Sequence, residues 1–412
     1  MESADRTVRG SALALAALLA GASALAADWP QWRGPSRDGV ATGVVLPGRL
    51  ADGLKQLWQA EVGEGHASPV VADRKVVVLS RQTDNEAVTC LNAADGKVVW
   101  TDSYEAPYKP QSVAKAHGKG PFATPTIAGG KVVAFGVTGV LTCYDLASGK
   151  KLWRKDFAGE FEKPHPAWGV ACSPVIEGNL CIAAVGTKSD GGLAAFQMAD
   201  GSRVWKQFDD GAAYSSPVVA MFGDKPQLVV LLHSHVVGVA PLSGKLLWKK
   251  PFVVQYEQNI ITPLPCDGLV VISGWRQPTT AYRVAAAAEV AWTNDGDSMF
   301  MSSPVARGKH LYALSDREKG SLVCLSLDDG KAVWSSPGGL GPYASLVLAG
   351  DKLLVLTVGG ELLMAAADPA GYKELGRVRV TDRPVWSHLA IAEGRLYVKD
   401  NARLTCVEMP KP

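Results

Sequence analysis

The 412-residue chain lacks the short motifs that accompany the common catalytic, nucleotide-binding and zinc-binding sites. It contains no Cys-x-x-Cys, no His-Glu-x-x-His, no Gly-x-Ser-x-Gly and no Walker loop. It also has little excess charge, because 42 Lys and Arg residues nearly balance 40 Asp and Glu residues. Such a balance offers no basic surface for nucleic acid or an anionic membrane. The sequence therefore predicts no catalytic, cofactor-binding or metal-binding residues and no nucleic-acid partner.

Long apolar runs are absent apart from one near the N-terminus, from Ser11 to Ala24. This run is shorter than the about 20 residues that span a bilayer, so no membrane span is expected. Two arginines precede it and a small-x-small sequence ends at Ala26, which is the pattern of a secretory signal peptide over residues 1–26. No cysteine follows the cleavage point, so no lipid anchor is expected. We predict a periplasmic or secreted protein that is a monomer.

Cysteine is scarce for an exported protein, in which disulfides are common. Four of the seven cysteines occupy the same slot of an internal repeat, where other copies have Ala or Gly: Cys90, Cys143, Cys324 and Cys406. A slot that prefers small side chains indicates core packing rather than cross-linking. The states of Cys181 and Cys266 stay open, and the odd count leaves at least one thiol unpaired.

The most abundant feature is a repeated phrase: Ser-Pro or Thr-Pro, short β-rich runs, a Gly-containing turn and a closing Trp. A repeat of roughly 40–50 residues is typical of stacked β units that cannot bury their faces alone. Six copies begin with such a pair and two degenerate copies begin at Ser345 and Ser387. Together these eight copies predict an all-β fold, an eight-bladed β-propeller of four-stranded antiparallel blades. The closing tryptophans are interpreted as structural residues that dock between blades: Trp58, Trp100, Trp153, Trp205, Trp248, Trp292 and Trp334.

The last copy has no closing Trp, and Trp58 near the N-terminus supplies it. A strand from about Gln56 to Val62 should therefore complete the last blade and close the ring, which protects the strand edges. The predicted signal peptide and closing strand divide the chain into a signal peptide (1–26), a leader (27–55) and a single propeller (56–412). The leader contains Trp29, Trp32, Arg33 and Arg37, and we expect it to pack across the propeller rather than to bind a ligand.

These repeats resemble the PQQ-repeat, or quinoprotein-like, β-propellers. The leader DWPQWRGPSRDGV, from Asp28 to Val40, is similar to the N-terminal signature of secreted bacterial PQQ-like repeat proteins. The resemblance implies the propeller fold and two kinds of activity, PQQ- and calcium-dependent dehydrogenases and scaffolds of the BamB type. The dehydrogenases carry two adjacent cysteines beside the quinone, and this chain has no Cys-Cys pair.

Loops at one mouth of the central channel carry residues that differ from blade to blade, as a binding face would. The candidates are His66, Phe122, Trp168, Tyr214, His233, His235, Asn259, Trp275, Arg276, Phe300, Tyr343 and Trp386. The alternative is that these aromatic side chains only pack between blades. We predict a non-catalytic exported scaffold that binds a protein or peptide and needs no cofactor. The alternative function is a quinoprotein dehydrogenase that uses PQQ with calcium to oxidise alcohols or sugars.

Overall fold

A computed structural model of the chain describes residues 28–188, 190–207, 210–285 and 287–411. The predicted signal peptide lies outside these residues. The described residues form thirty-two strands in eight antiparallel four-stranded sheets, which confirms the predicted eight-bladed propeller. Four 3₁₀ helices lie in the loops: Ser112–His117, Phe157–Gly159, Gln255–Glu257 and Arg317–Lys319.

Blades 1 to 4 follow one another along the chain, each with its strands in sequence order. The strands are β2 (Val70–Ala72), β3 (Lys75–Gln82), β4 (Asn85–Asn92) and β5 (Val98–Glu105) in blade 1; β6 (Thr126–Ala128), β7 (Lys131–Phe135), β8 (Val140–Asp145) and β9 (Lys151–Asp156) in blade 2; β10 (Val175–Glu177), β11 (Leu180–Val185), β12 (Gly192–Gln197) and β13 (Arg203–Gln207) in blade 3; and β14 (Val218–Phe222), β15 (Lys225–Leu231), β16 (His235–Val239) and β17 (Leu246–Pro251) in blade 4.

Blades 5 to 8 complete the ring, and the last of them combines both ends of the chain. The strands are β18 (Leu264–Cys266), β19 (Leu269–Gly274), β20 (Gln277–Val284) and β21 (Ala288–Asn294) in blade 5; β22 (Val305–Arg307), β23 (His310–Ser315), β24 (Ser321–Ser326) and β25 (Ala332–Ser335) in blade 6; β26 (Ala344–Ala349), β27 (Lys352–Thr357), β28 (Glu361–Ala366) and β29 (Glu374–Arg379) in blade 7; and β30 (Ala390–Ala392), β31 (Arg395–Lys399), β32 (Arg403–Glu408) and β1 (Gln56–Glu61) in blade 8.

The ring closes as the sequence predicts, by a strand from near the N-terminus. β1 pairs antiparallel with β32, with Trp58 opposite Cys406 and Ala60 opposite Leu404. The strand ends at Glu61, one residue earlier than expected. Because its outer strand comes from the start of the chain, blade 8 cannot form until both ends meet.

In five of the eight repeats, the Ser or Thr that opens the repeat joins neighbouring blades around the channel, a role the sequence did not reveal. At these five blade boundaries, the backbone N–H of the residue two positions before a first strand donates a hydrogen bond to the hydroxyl of the next blade. The pairs are His388 N to Ser68 Oγ, Ser68 N to Thr124 Oγ1, Thr124 N to Ser173 Oγ, Ser173 N to Ser216 Oγ and Thr262 N to Ser303 Oγ, at 2.7–3.0 Å. We call this set the inner hydroxyl ring. It satisfies backbone donors that are buried where the blades converge.

The closing tryptophans lie between blades, six of them against the turn of the blade that follows and Trp248 against Gly238 of its own blade. The Trp153 ring packs on Gly201, which has a φ of +75° and where a Cβ would come within 2.8 Å of the ring. Its Nε1 donates to Met198 O at 3.3 Å. The turn glycine therefore supplies both a left-handed conformation and the space for the indole. Trp58, Trp100, Trp205 and Trp292 pack in the same way on Gly96, Gly149, Gly244 and Gly330. Trp334 bonds Asp368 O and Trp248 bonds Gln227 Oε1.

All seven cysteines carry free thiols, so neither Cys181 nor Cys266 forms a disulfide. The four that share a repeat slot are fully buried in the third strands of their blades. Burial raises the pKa of their thiols, for example that of Cys90 to about 12, so they stay protonated at neutral pH. Among the described residues, no helix has the length and apolarity needed to cross a bilayer.

Candidate functional site

The leader packs across the propeller as expected, and it does so within the central channel. The backbone N–H of Trp29 donates a hydrogen bond to Val71 O in the first strand of blade 1, and the backbone C=O of Trp29 accepts one from Val71 N, both at 2.8 Å. Pro30 O then accepts a hydrogen bond from Ile127 N in blade 2, and Ala41 N donates to Leu348 O in blade 7. The segment between these contacts lies inside the ring and closes the channel at the end opposite the loops.

Two fully buried arginines hold this segment in place. Arg33 donates to Asp38 O at 2.9 Å and to Pro304 O of blade 6. Arg37 donates to Ser173 O and Pro174 O of blade 3, both at 2.9 Å. Guanidinium groups supply several donors at once, which suits a channel lined by first-strand carbonyl groups. This explains why the leader enters the channel.

Burial lowers the pKa of both guanidinium groups, that of Arg33 to about 10 and that of Arg37 to about 9. Both remain charged at neutral pH. Within the described part of the chain neither forms an ion pair with a carboxylate. The leader therefore brings two positive charges into the channel, with the Asp38 carboxylate near Arg33.

Trp32 turns the remaining channel into a blind pocket. Its Nε1 donates to Thr262 Oγ1 of blade 5 at 2.7 Å, and its ring lies edge-on to His388, with centroids 5.4 Å apart. The indole forms the floor of a cavity of about 160 Å³ that opens among the loops. We call this cavity the aromatic pocket. Its lining comprises Trp32, His66, His117, Phe122, Trp168, Ala171, Ser173, Tyr214, Ser216, Gln258, Ile260, Met301, Ser303, Tyr343 and Trp386.

The rings of the aromatic pocket are packed against one another. Trp386 is stacked between His66 and Tyr343, with centroids 5.6 and 5.7 Å away and interplanar angles of 21° and 26°. Phe122 continues this row beyond His66, at 5.3 Å. A wall held in this way is rigid before any ligand arrives, which reduces the ordering cost of binding.

The aromatic pocket is electrically neutral. Its lining, within the described part of the chain, includes no Asp, Glu, Lys or Arg. Burial lowers the pKa of His66 to about 3 and also lowers that of His117, so both imidazoles are uncharged at neutral pH. Burial raises the pKa of Tyr343 above its ordinary value, and its hydroxyl has no hydrogen-bond partner among the described residues. Tyr343 is thus a protonated phenol with unused hydrogen-bonding capacity.

Two polar grooves adjoin the aromatic pocket. The first, of about 890 Å³, shares Trp168 with it and includes Lys163, Lys188, His233 and Glu257. We call it the Lys163 groove. The second, of about 240 Å³, shares His66, His117 and Trp386 and includes Lys115, Lys119 and Glu64; we call it the Lys115 groove. The pocket therefore lies between two grooves on the loop face.

The structure brings six of the twelve candidate residues together at the aromatic pocket: His66, Phe122, Trp168, Tyr214, Tyr343 and Trp386. Three others, Trp275, Arg276 and Phe300, form a separate cluster in which the Arg276 guanidinium lies 4.6 Å from the Trp275 ring centroid. His233 belongs to the Lys163 groove. Whether any of these residues binds a partner remains a prediction.

The other two candidates have structural contacts instead. Asn259 is fully buried and its side-chain amide donates to Leu232 O, at 2.6 Å, and to Phe252 O. His235 Nδ1 lies 2.8 Å from the Asp210 carboxylate, which also accepts a hydrogen bond from Ser234 N. These contacts fix the loops beside the pocket, and neither residue lines the pocket.

The repeats of this ring match a known protein family. The family described as "Outer membrane protein assembly factor BamB" matches residues 49–111 and 84–336, more than half of the chain. The chain belongs to this family. The BamB assignment confirms the resemblance to PQQ-repeat propellers.

A curated BamB relative from Shewanella oneidensis is 27% identical over 236 residues, which cover 52% of this chain and 56% of the relative. The alignment thus spans little more than half the length of that relative. The crystal structure of BamB from Moraxella catarrhalis superposes with a TM-score of 0.60 at 13% identity, covering 86% of this chain and 99% of that one. Quinohemoprotein alcohol dehydrogenase from Comamonas testosteroni gives 0.63 at 14% identity, covering 95% and 82%. At such identities these structures show the shared fold alone.

The residues present do not fit the quinone cofactor of the dehydrogenases with this fold. PQQ is a tricyclic tricarboxylate, whereas a cavity of about 160 Å³ is sized for a single ring. Calcium takes six to eight oxygen ligands, with carboxylates prominent among them, and the pocket lining described above has none. Arg33 and Arg37, the cations nearest the floor, are committed to backbone carbonyls.

Sequence reasoning missed the floor and part of the wall. The sequence predicts a packing role for Trp32 and indicates no role for His117. Ser173, Ser216 and Ser303 were recognised as opening residues of the repeat but not as pocket residues. The repeat register could have found these serines, because first strands surround the axis of a propeller. Nothing in the sequence indicates that Trp32 reaches the same place.

Proposed function

We propose that the protein is a non-catalytic scaffold that binds a protein or peptide partner at its loop face. The observation that carries this proposal is the aromatic pocket, a preformed neutral cavity lying between two polar grooves. Apolar anchor sites surrounded by polar contacts are the usual anatomy of protein interfaces. Membership of the BamB family, whose curated relatives are named as assembly factors, supports the same function.

The surroundings of the pocket favour binding over chemistry. Its two histidines are held neutral by burial, with a pKa of about 3 for His66, far from the range useful to a general base at neutral pH. No group of three or more metal-ligating side chains occurs in the described part of the chain. We propose further that the protein acts without a cofactor, as an exported monomer without a lipid anchor, after cleavage near Ala26.

A peptide library displayed on phage and selected on the purified protein tests this function. Enriched peptides are then titrated against Trp386→Ala and against Ala171→Trp, which fills the pocket while keeping its aromatic walls. Leu242→Ser is the matched control, because Leu242 is exposed in the turn between β16 and β17, at the opposite end of the propeller. We expect at least tenfold weaker binding for both pocket variants, as for truncated hot-spot residues, and unchanged binding for the control.

The proposal fails if no sequence is enriched over repeated rounds. It also fails if enriched peptides bind Ala171→Trp as tightly as the parent protein. Thermal melting of each variant shows that weaker binding does not come from unfolding.

A further inference from the structure

The fourth strands of the blades form the outer wall of the propeller, and basic residues are concentrated on one part of it. In β9, β13 and β17, of the consecutive blades 2, 3 and 4, seven residues are Lys or Arg and one is acidic. The fourth strands of the other five blades together contain two Arg and five acidic residues. A basic surface therefore exists despite the near balance of charge over the whole chain. We call this surface, residues 150–156, 202–207 and 245–251, the basic wall.

Each blade of the basic wall presents an aliphatic side chain and a basic one on either side of its closing Trp. A β-bulge immediately precedes each of these tryptophans, and bulges re-aim side chains. The aliphatic residues at the bulges are 36–45% exposed. The three pairs are Leu152 with Arg154, Val204 with Lys206, and Leu247 with Lys249.

Several lysines of the basic wall have no acidic partner. The two arginines of the wall form ion pairs with Asp102 and Glu160, and Asp145 and Asp200 lie near two of its lysines. Each lysine close to an anionic bilayer strengthens binding by up to about fivefold. Four lysines of the wall form no ion pair within the described part of the chain: Lys151, Lys245, Lys249 and Lys250.

Protection of strand edges does not explain this distribution. Lysines on edge strands prevent pairing with another chain, and every blade needs that protection because each fourth strand is an edge. Yet β1, β5, β21 and β25 contain no Lys or Arg. In these four strands a neutral residue follows the closing Trp: Gln59, Thr101, Thr293 and Ser335. The basic residues therefore serve a purpose specific to the side of the ring formed by blades 2, 3 and 4.

The form of the basic wall favours an anionic bilayer over other anions. Its exposed aliphatic side chains gain nothing from a soluble polyanion, but they bury apolar surface at a membrane interface. Its closing tryptophans are buried, so their rings are not free to stack on nucleic-acid bases. The cavities of the loop face include no residue of the wall, which leaves an acidic protein no pocket for a side chain there. A fluid bilayer, in contrast, adapts to a convex surface.

We infer that the basic wall binds the surface of a bilayer that contains anionic phospholipid. The lysines contact the headgroups, and the aliphatic residues between them enter the interface. In this orientation the axis of the ring lies parallel to the membrane, and the loop face stays open to a partner. The inference goes beyond the proposed function and does not depend on the aromatic pocket.

Vesicle flotation tests this inference with the protein lacking residues 1–26, because their apolar run would itself bind lipid. The remaining chain includes every strand of the propeller. The vesicles consist of phosphatidylcholine with or without phosphatidylglycerol. We expect binding only when phosphatidylglycerol is present. Binding should weaken at least about fivefold between about 0.1 M and about 1 M salt, because the Debye length falls from about 10 Å to about 3 Å.

A four-lysine variant of the basic wall tests where the vesicles bind. It should bind at least about tenfold more weakly than the parent protein, because it loses four attractive charges. A matched control makes the same change in net charge at four exposed lysines outside the wall, and it should keep binding within about twofold. The wall variant combines Lys151→Gln, Lys245→Gln, Lys249→Gln and Lys250→Gln, and the control combines Lys109→Gln, Lys319→Gln, Lys331→Gln and Lys373→Gln.

A second pair of variants tests the aliphatic residues. Leu152→Ser combined with Leu247→Ser removes two of them from the wall. Val99→Ser combined with Val333→Ser is the matched control, because these valines occupy the same repeat position in blades 1 and 6 and are 47% and 43% exposed. We expect the wall pair to lose at least about threefold in binding, and the control pair to keep the parent's binding.

Three results would overturn the inference. The first is no binding to vesicles that contain phosphatidylglycerol, or equal binding to vesicles without it. The second is equal binding of the four-lysine wall variant and its control. The third is binding of soluble polyglutamate without binding of vesicles, which would assign the basic wall to an acidic protein instead. Thermal melting of each variant shows that a loss of binding does not come from unfolding.

Discussion

Replacing Thr124 with valine removes one hydroxyl from the inner hydroxyl ring with almost no change in side-chain shape. Thr124 is fully buried, and its Oγ1 accepts a hydrogen bond at 3.0 Å from the backbone N–H of Ser68 in the preceding blade. Valine cannot accept that bond, and no water can replace it without a cavity at the blade boundary. An unsatisfied buried donor costs about 1–3 kcal/mol. We expect Thr124→Val to lower the free energy of unfolding by that amount.

Equilibrium denaturation in guanidinium chloride measures this loss, with the m-value checking that the folded and denatured states keep their compactness. Thr293→Val is the matched control, because Thr293 is exposed on β21 and has no side-chain hydrogen bond among the described contacts. Exposed substitutions of this kind change stability by less than about 0.5 kcal/mol. If Thr124→Val costs no more than Thr293→Val, the inner hydroxyl ring does not stabilise the propeller and the reasoning is wrong.

Three further predictions concern the blade boundaries and the closure. Trp153→Ala should cost roughly 3–5 kcal/mol in chemical denaturation, because the indole is buried between blades; a loss under about 1 kcal/mol would contradict its docking role. Gly201→Ala should cost more than Gly223→Ala, since both have positive φ but only Gly201 packs on an indole; equal costs would mean that backbone strain alone matters. Deleting residues 28–62 should prevent stable folding, because blade 8 loses β1 and the channel loses both arginines; a soluble variant with a cooperative melting transition would refute this.

The features predicted from the sequence are those that recur with the repeat. Eight copies of the repeat, seven of them with a closing Trp, fix the number of blades, and the missing Trp of the last copy predicts the pairing of β1 with β32. The small-residue slot at Cys90 and its equivalents predicts burial without disulfides. Each of these follows because a repeated local pattern reports a repeated environment. The same argument found half of the candidate face, since residues at one loop position of every blade must surround one channel mouth.

The features that could not be predicted occur once and depend on contacts between distant parts of the chain. Trp32 and Thr262 are 230 positions apart, and no periodic pattern links them. The buried arginines were equally hidden, because a surface position is the ordinary place for such residues. The positions of Asn259 and His235 outside the pocket were hidden for a similar reason. The Asn259 amide nitrogen donates to Leu232 O and His235 contacts the Asp210 carboxylate, and neither contact follows from the repeat pattern.

The leader decides what kind of site this propeller offers. Its arginines reach the carbonyl groups of blades 3 and 6, and this fixes the height of Trp32 in the channel. The walls of the aromatic pocket therefore come from the repeats, while its floor comes from a segment that precedes them. A ring with the same blades but without this segment would keep a deeper channel with exposed carbonyl groups, suited to larger and more polar ligands. The repeats thus account for the fold shared with the quinohemoprotein dehydrogenase, and the leader accounts for the floor of the aromatic pocket.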